Sequence, residues 1–266
     1  KMPKVELNSS TTNVNNAAKV IIEDSAACPR YVAKVVKGVE IKESPEWLKS
    51  KLTAIGLRPI NNVVDVTNFI LYEIGQPLHS FDLDMLAENT IVVKKAGDIK
   101  KFVTLDSKER NLLPEDLLIC DAAKPVAIAG VMGGENSEVT NKTTNILIES
   151  AYFNPSSVRK TAKKLALSTD ASYRFERGCN PNITLYAAER AAQLIQQIAG
   201  GEILDGVIDV YPNQIKPKTA SLRYERVAKI LGFKVEKETV DNILCKLGFI
   251  VLDHNETSVT VEIPTF

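Results

Sequence analysis

The chain has 266 residues, 44% of them hydrophobic and 25% charged, enough to bury a sizeable core in one large domain or a main domain with a small companion. Lysine plus arginine equals aspartate plus glutamate, 33 of each, so any contact with nucleic acid must use a local basic patch rather than a net pull on phosphate. No apolar run approaches the roughly 18 residues of a membrane span. Residues 1–16 are polar and Asn/Thr-rich, without the features of a signal or transit peptide, and the chain reads as cytoplasmic. Cys28, Cys120, Cys179 and Cys245 show no Cys-x-x-Cys spacing and read as buried free thiols. Only His79 and His254 could add imidazole ligands, neither beside a cysteine, so no metal site is expected.

In chain order, residues 1–17 carry little periodic signal and read as a tail, and residues 1–27 as a partly disordered flank. KVIIED and RYVAKVVKGVEI read as strands, the second with some in-out alternation. Ser44-Pro45 opens a helix over EWLKSKLTAI, with Ser44 as N-cap, Pro45 at the first helical position and Gly56 past the end. A second helix covers residues 63–74, with Val63, Val66, Ile70 and Ile74 near one face and Gly75 as its stop. Residues 90–149 are strand-rich: IVVKK, a hairpin in FVTLDSKERNLL turning near Asp106-Ser107, DLLIC, PVAIAGVMGG and TNILIES.

Asn154-Pro155 then starts SSVRKTAKKLAL, and Asn180-Pro181 starts NITLYAAERAAQLIQQIAGG. In such pairs the polar side chain caps free N–H groups, and proline lacks the N–H that would be orphaned. GEILDGVIDVYP closes the unit. Helices around a block of strands give an α+β fold over residues 28–212, a layered mixed β-sheet flanked by helices. After Lys216-Pro217, two short amphipathic helices and a strand pattern suit a small winged-helix-like domain over residues 213–266. Its strand pattern runs to Phe266 without polar tapering, which reads as truncation.

No Walker loop, G-x-S-x-G elbow, H-E-x-x-H or G-x-G-x-x-G is present. AGVMGGE, with Gly130, Gly133 and Gly134, reads as a tight bend or a binding loop that lacks a lysine. Thr67 and Asn68 stand on a helix, either as solvated face or as contacts, and His79 follows a helix stop in an extended stretch, structural or functional. Glu149 ends a strongly apolar strand, where a carboxylate is costly unless it meets a donor: a ligand hydroxyl, or an arginine such as Arg58 or Arg174. Arg159, Lys160, Lys163 and Lys164 form a basic helix side that, with YRFERG, is either solvated or holds a nucleic-acid backbone.

Taken together, CPRY, IGLRPINNVVDVTNFILYEIGQPLHSFD, AGVMGGENSEV and ILIESAYFNPSSVRKTAKKLALSTDASYRFERG closely resemble the editing domain of the bacterial phenylalanyl-tRNA synthetase beta subunit, in order and spacing. SLRYERVAKILG through VEIPTF resembles the start of that subunit's next small domain. The resemblance implies hydrolysis of tyrosine mischarged onto tRNA(Phe), within a subunit that supports ATP-dependent phenylalanine ligation. The alternative is a non-catalytic scaffold that binds RNA or docks a subunit. It implies no cofactor for this segment, with ATP and magnesium used by the whole enzyme. The implied partners are the acceptor end of tRNA(Phe), an alpha subunit in an α2β2 assembly, and tyrosine as ligand.

By the same resemblance Glu149 accepts the tyrosine phenol, Gly133 and Gly134 shape the pocket, and Ala151 and Ala171 leave room for the ring. Arg58, Thr67, Asn68, His79 and Thr169 match positions around the ester and the terminal adenosine, none with a certain catalytic role. Editing has a physical motive: a hydrophobic pocket rejects an added hydroxyl by only about a hundredfold, whereas a site built to bond that hydroxyl rejects its absence by roughly four to five orders of magnitude. With no Ser-His-Asp or Cys-His set available, direct attack by a positioned water is the expected chemistry.

Overall fold

Strand pairing sorts the chain into four sheets distributed over two units, one ending at Gln214 and the other covering Ile215–Phe266. The structure, a computed structural model, describes residues 2–266. In the larger unit the strands and helices are β1 (Ser9–Asn13), β2 (Lys19–Ile22), β3 (Arg30–Lys37), α1 (Glu46–Ala54), α2 (Val64–Ile74), β4 (His79–Asp82), β5 (Thr90–Lys95), β6 (Lys101–Val103), β7 (Glu109–Asn111), β8 (Leu117–Cys120), β9 (Pro125–Ile128), β10 (Met132–Gly133) and β11 (Asn145–Tyr152). They continue as α3 (Pro155–Lys164), α4 (Asp170–Phe175), α5 (Thr184–Ala199), β12 (Glu202–Asp205) and β13 (Ile208–Val210).

The central sheet runs β1-β12-β3-β11-β4, with β13 also on β3, and a second sheet runs β10-β9-β8-β5-β2. The expected α+β layering is what these elements build. Along β11, Ile146 and Ile148 turn with Val36 of β3 toward α1, α2 and the alanines Ala187, Ala191 and Ala192 of α5, whose small side chains let the helix approach closely. Leu147 and Ala151 turn the other way, with Tyr31, Val35 and Phe81, into a core shared with Ile119 and Ile128 of the second sheet. The central sheet is therefore covered on both faces, by helices on one and by strands on the other. This explains β3: seven of its eight residues are buried, a near-continuous run rather than the alternation expected.

Several local expectations need correction. Residues 9–16 are no tail: β1 pairs in parallel with β12 and Val14 just after it is fully buried. Their polar composition hid this, because an edge strand of serines and threonines needs only backbone bonds to dock. The strand expected in KVIIED is present as β2, paired in parallel with β5. Ser44 does not cap α1; Pro45 holds the N-cap position without a side-chain bond, and the Ser44 hydroxyl donates instead to Asp65 Oδ2 at 2.6 Å. Asn180 does not open α5, which starts at Thr184; its side chain accepts from Asn182 N in a local turn. Asn154 does cap α3, accepting from Ser156 N and Ser157 N, and α2 ends at Gly75 with φ 77°, a left-handed stop. Of the four thiols, all free, Cys28 and Cys120 are buried, Cys179 is half-buried and Cys245 is exposed.

The smaller unit consists of β14 (Thr219–Arg223), α6 (Tyr224–Leu231), α7 (Lys237–Lys246), β15 (Ile250–His254) and β16 (Ser258–Glu262), with β16 central in a three-stranded antiparallel sheet. Val240, Val259 and Val261 form its buried centre. No helix among the described residues is long and apolar enough to cross a membrane.

Asp65 joins α2 to the segment ahead of it. Fully buried, it accepts from Ser44 through Oδ2 and from the Ile60 backbone N–H through Oδ1 at 2.9 Å. Asp65→Ala strands both donors and should destabilise the larger unit by about 2 kcal/mol, measured as a lowered urea midpoint with an unchanged slope.

Candidate functional site

Between the two sheets, beside α2 and α4, lies a cavity of about 250 Å³. Its walls are mostly apolar, with Ile119 and Ile128 from the second sheet, Leu71 from α2 and Phe175 from α4. Its polar groups come from four places: Thr67 and Asn68 on α2, His79 on β4, Glu149 on β11, and Thr169 and Asp170 at the start of α4.

Register sets the two ionisable groups of the floor abreast. Glu149 of β11 pairs with Ala33 on one side and with His79 of β4 on the other. Tyr31 lies two residues from Ala33 and so shares that face, diagonal to Glu149, and its hydroxyl donates to Glu149 Oε2 at 2.7 Å. Glu149 is 6% exposed and Tyr31 fully buried. Burial pushes the Glu149 carboxyl up to about 7, only partly opposed by the phenol bond. The other oxygen, Oε1, takes no hydrogen bond from a described residue. Neither arginine considered from sequence reaches this carboxylate: Arg58 is exposed outside the cavity, and Arg174 pairs with Asp170 at 3.1 Å.

His79 stacks edge-on against Phe81, ring centroids 4.5 Å apart. Burial lowers its imidazole to about 4, so the ring is neutral at pH 7. Its Nε2 is buried without a hydrogen-bond partner among the described residues. The ring's seat depends on Gly133, since a Cβ there would stand 2.8 Å from His79 Cε1 and 3.0 Å from Nε2. The Gly133 carbonyl in turn accepts from Leu105 N at 3.0 Å, tying the β6–β7 hairpin to the cavity wall.

The remaining polar residues differ in how much hydrogen-bonding capacity they have left. Thr169 is committed: its hydroxyl donates to Val131 O at 2.9 Å and accepts from Ser172 N at 3.0 Å, completing a capping box on α4. Thr67 donates to Val64 O in its own helix at 2.7 Å and can still accept. The Asn68 amide makes no hydrogen bond to a described residue. At the rim, Tyr72 of α2 donates to Asp170 Oδ1 at 3.0 Å, and Arg174 lies 4.6 Å from the centre of the Tyr72 ring, linking α2 to α4.

Of the residues singled out from sequence, the cavity brings together Thr67, Asn68, His79, Gly130, Gly133, Glu149, Thr169 and Ala171. It does not include Arg58, Gly134 or Ala151. Ala151 is fully buried in the inter-sheet core, and a Cβ at Gly134 would run into the Phe102 ring and stand 2.9 Å from Val126 O. Sequence reasoning missed Tyr31 and Asp170. Tyr31 lies 118 residues from its partner, so only the strand register could have exposed it. The Thr169…Ser172 spacing was the available signal for α4.

Residues 27–200 match the family model described as B3/4 domain, and residues 220–266 match the model described as tRNA synthetase B5 domain. The chain is 50% identical over 264 residues to the phenylalanine–tRNA ligase beta subunit of Salinibacter ruber, covering 99% of this chain and 32% of that protein. It is 47% identical over 267 residues to the Porphyromonas gingivalis beta subunit, covering 100% and 32%. The match to the Geobacter sulfurreducens beta subunit is 47% identical over 253 residues, covering 95% and 32%. The chain thus spans about a third of the length of these curated relatives. Among solved structures, an N-terminal fragment of the phenylalanyl-tRNA synthetase beta subunit from Pyrococcus horikoshii is similar at 16% identity and a TM-score of 0.49, covering 100% of this chain and 72% of that one.

The shifts at Glu149 and His79 act on stability with opposite signs. Glu149, raised from 4.5 to about 7, gives stability that is present in full below 4.5 and lost as pH rises through 7. His79, lowered from 6.5 to about 4, gives stability that is present above 6.5 and lost as pH falls through 4. Between 4.5 and 6.5 the two slopes cancel. Glu149→Gln removes one of them, so the stability of the variant should fall by about 1.4 kcal/mol per pH unit, relative to the parent, as pH drops through that window. Urea unfolding at stepped pH measures the difference; parallel curves for parent and variant would contradict it.

Proposed function

Because the chain belongs to the B3/4 domain family, we propose that its inter-sheet cavity is an editing site that hydrolyses tyrosine wrongly esterified to tRNA(Phe). The observation that carries this reading is Glu149, a buried carboxylate that opens on an apolar cavity with one oxygen unbonded and the other already accepting a phenol. A tyrosyl ring entering between Ile119, Ile128 and Phe175 brings a hydroxyl of the same chemistry, whereas a phenylalanyl ring leaves a buried acceptor unmatched.

The residues near that ring suit positioning better than proton transfer. An imidazole lowered to about 4 is a weak base, far from the pKa near the working pH that general-base catalysis favours. Its unpartnered Nε2 and the open Asn68 amide can instead hold a water and the ester in line, with the vicinal ribose hydroxyl of the tRNA assisting. Thr169, its hydroxyl proton and one lone pair used within the protein, acts by fixing α4 as the wall that carries Ala171. On this reading the intact subunit works with an alpha subunit that charges phenylalanine using ATP and magnesium, and the smaller unit belongs to the B5 module that follows.

Tyrosine and phenylalanine binding to this chain, with deacylation of tyrosyl-tRNA(Phe), tests the assignment. Glu149→Ala should reduce the preference for tyrosine over phenylalanine to near unity, and an unchanged preference rules out the phenol contact. His79→Ala should keep deacylation within about tenfold of the parent, since removal of a true general base costs roughly a hundredfold or more. A parent chain that binds neither amino acid and spares the ester would mark the fold as an RNA-binding or docking scaffold.

A further inference from the structure

We propose that Tyr31 is a positioning residue for tyrosine selectivity: its hydroxyl pins one oxygen of Glu149 and leaves the other to receive the hydroxyl of a bound ring. The inference rests on the editing reading of the cavity and deepens it. Tyr31 itself does not line the cavity; it is fully buried behind it, and its 2.7 Å bond to Oε2 fixes the carboxylate from the core side.

The choice of a phenol matters. A buried carboxylate needs a donor, and an arginine would supply two in parallel, satisfying both oxygens and neutralising the charge. A tyrosine supplies one. It holds the side chain in a single orientation and leaves acceptor capacity on the cavity side, which no hydrogen bond from a described residue takes up. A bond to a charged acceptor also favours the ionised carboxyl, which is the better acceptor for a second phenol.

The imidazole and the thiol that face Glu149 keep one protonation state while it titrates. From β4, His79 is neutral above about 4. From the turn before β3, the Cys28 thiol is pushed well above 9 by burial and by the Glu149 charge, and remains protonated. From α4, Asp170 is tied to Arg174 and Tyr72 at the rim. The facing strands β8 and β9 contribute Ile119, Ala127 and Ile128. A change in selectivity across neutral pH therefore reports on Glu149.

The test is the ratio of L-tyrosine to L-phenylalanine affinity for the chain as a function of pH, in which the shared amino and carboxyl groups cancel. In the parent the ratio should rise through the Glu149 midpoint at about 7. Tyr31→Phe removes a single hydroxyl and should move that midpoint up by about one to two pH units, the worth of a charge-assisted hydrogen bond. The ratio at pH 7 then falls by about five- to fifty-fold and recovers toward alkaline pH. The carbon-13 NMR titration of the Glu149 carboxyl, in parent and variant without ligand, should show the same displacement. A merely structural role would weaken both ligands equally at every pH and leave the midpoint in place; either result overturns the inference alone. Absence of any tyrosine preference in the parent at all pH values overturns the editing reading, and this inference with it.

Discussion

Everything about the cavity follows from the register of β11 between β3 and β4. Side chains on a strand alternate faces, so a slip of one residue would carry Glu149 into the helical layer and bring Ile148 or Ser150, according to its direction, to the cavity floor. The slip is prevented by burial on both faces. Ile146 and Ile148 fill the space under α5, while Leu147 and Ala151 fill the space toward the second sheet. Neither set fits the other's place without loss of packing, and each buried aliphatic side chain contributes about 1.5–3 kcal/mol. The polar floor is thus held by apolar neighbours that do not themselves line the cavity.

Burying a carboxylate at such a place is unfavourable, and the surroundings offset only part of the cost. Tyr31 supplies one hydrogen bond, the second oxygen is left for the cavity, and the carboxyl remains well above its ordinary range. The imidazole beside it is likewise desolvated and pushed toward its neutral form. Two desolvated ionisable groups side by side in one concave apolar cavity are the feature that marks it as the candidate site. Gly133 shows the same economy in steric terms, because the wall carries no side chain where the imidazole must lie.

Much of this architecture was legible in the residues, unevenly. Signals that act within a few positions were readable: Asn154 capping α3, Gly75 stopping α2, and the hairpin turning near Ser107, where φ is 58°. Similar-looking signals misled wherever a distant group claimed the side chain, as Asp65 claims Ser44. The strand β1 was missed because an edge position asks for backbone bonds and little hydrophobicity. In the site, the residues drawn together could be named from the family likeness, but Tyr31 could not. The question of which donor meets Glu149 was open between a ligand and an arginine, and the donor found in the folded chain is a third group, brought near only by strand pairing.

The pairing of a raised carboxyl with a lowered imidazole has one more consequence. From about pH 4 to about pH 7 the floor of the cavity carries no charge on either group. A polyanion approaching the mouth feels no long-range field from that floor, neither attraction nor repulsion, so its capture there is governed by shape and by contacts at the rim. Above the carboxyl midpoint a single negative charge appears at the bottom of the pocket, between apolar walls; under the editing proposal it discriminates there among the side chains that enter.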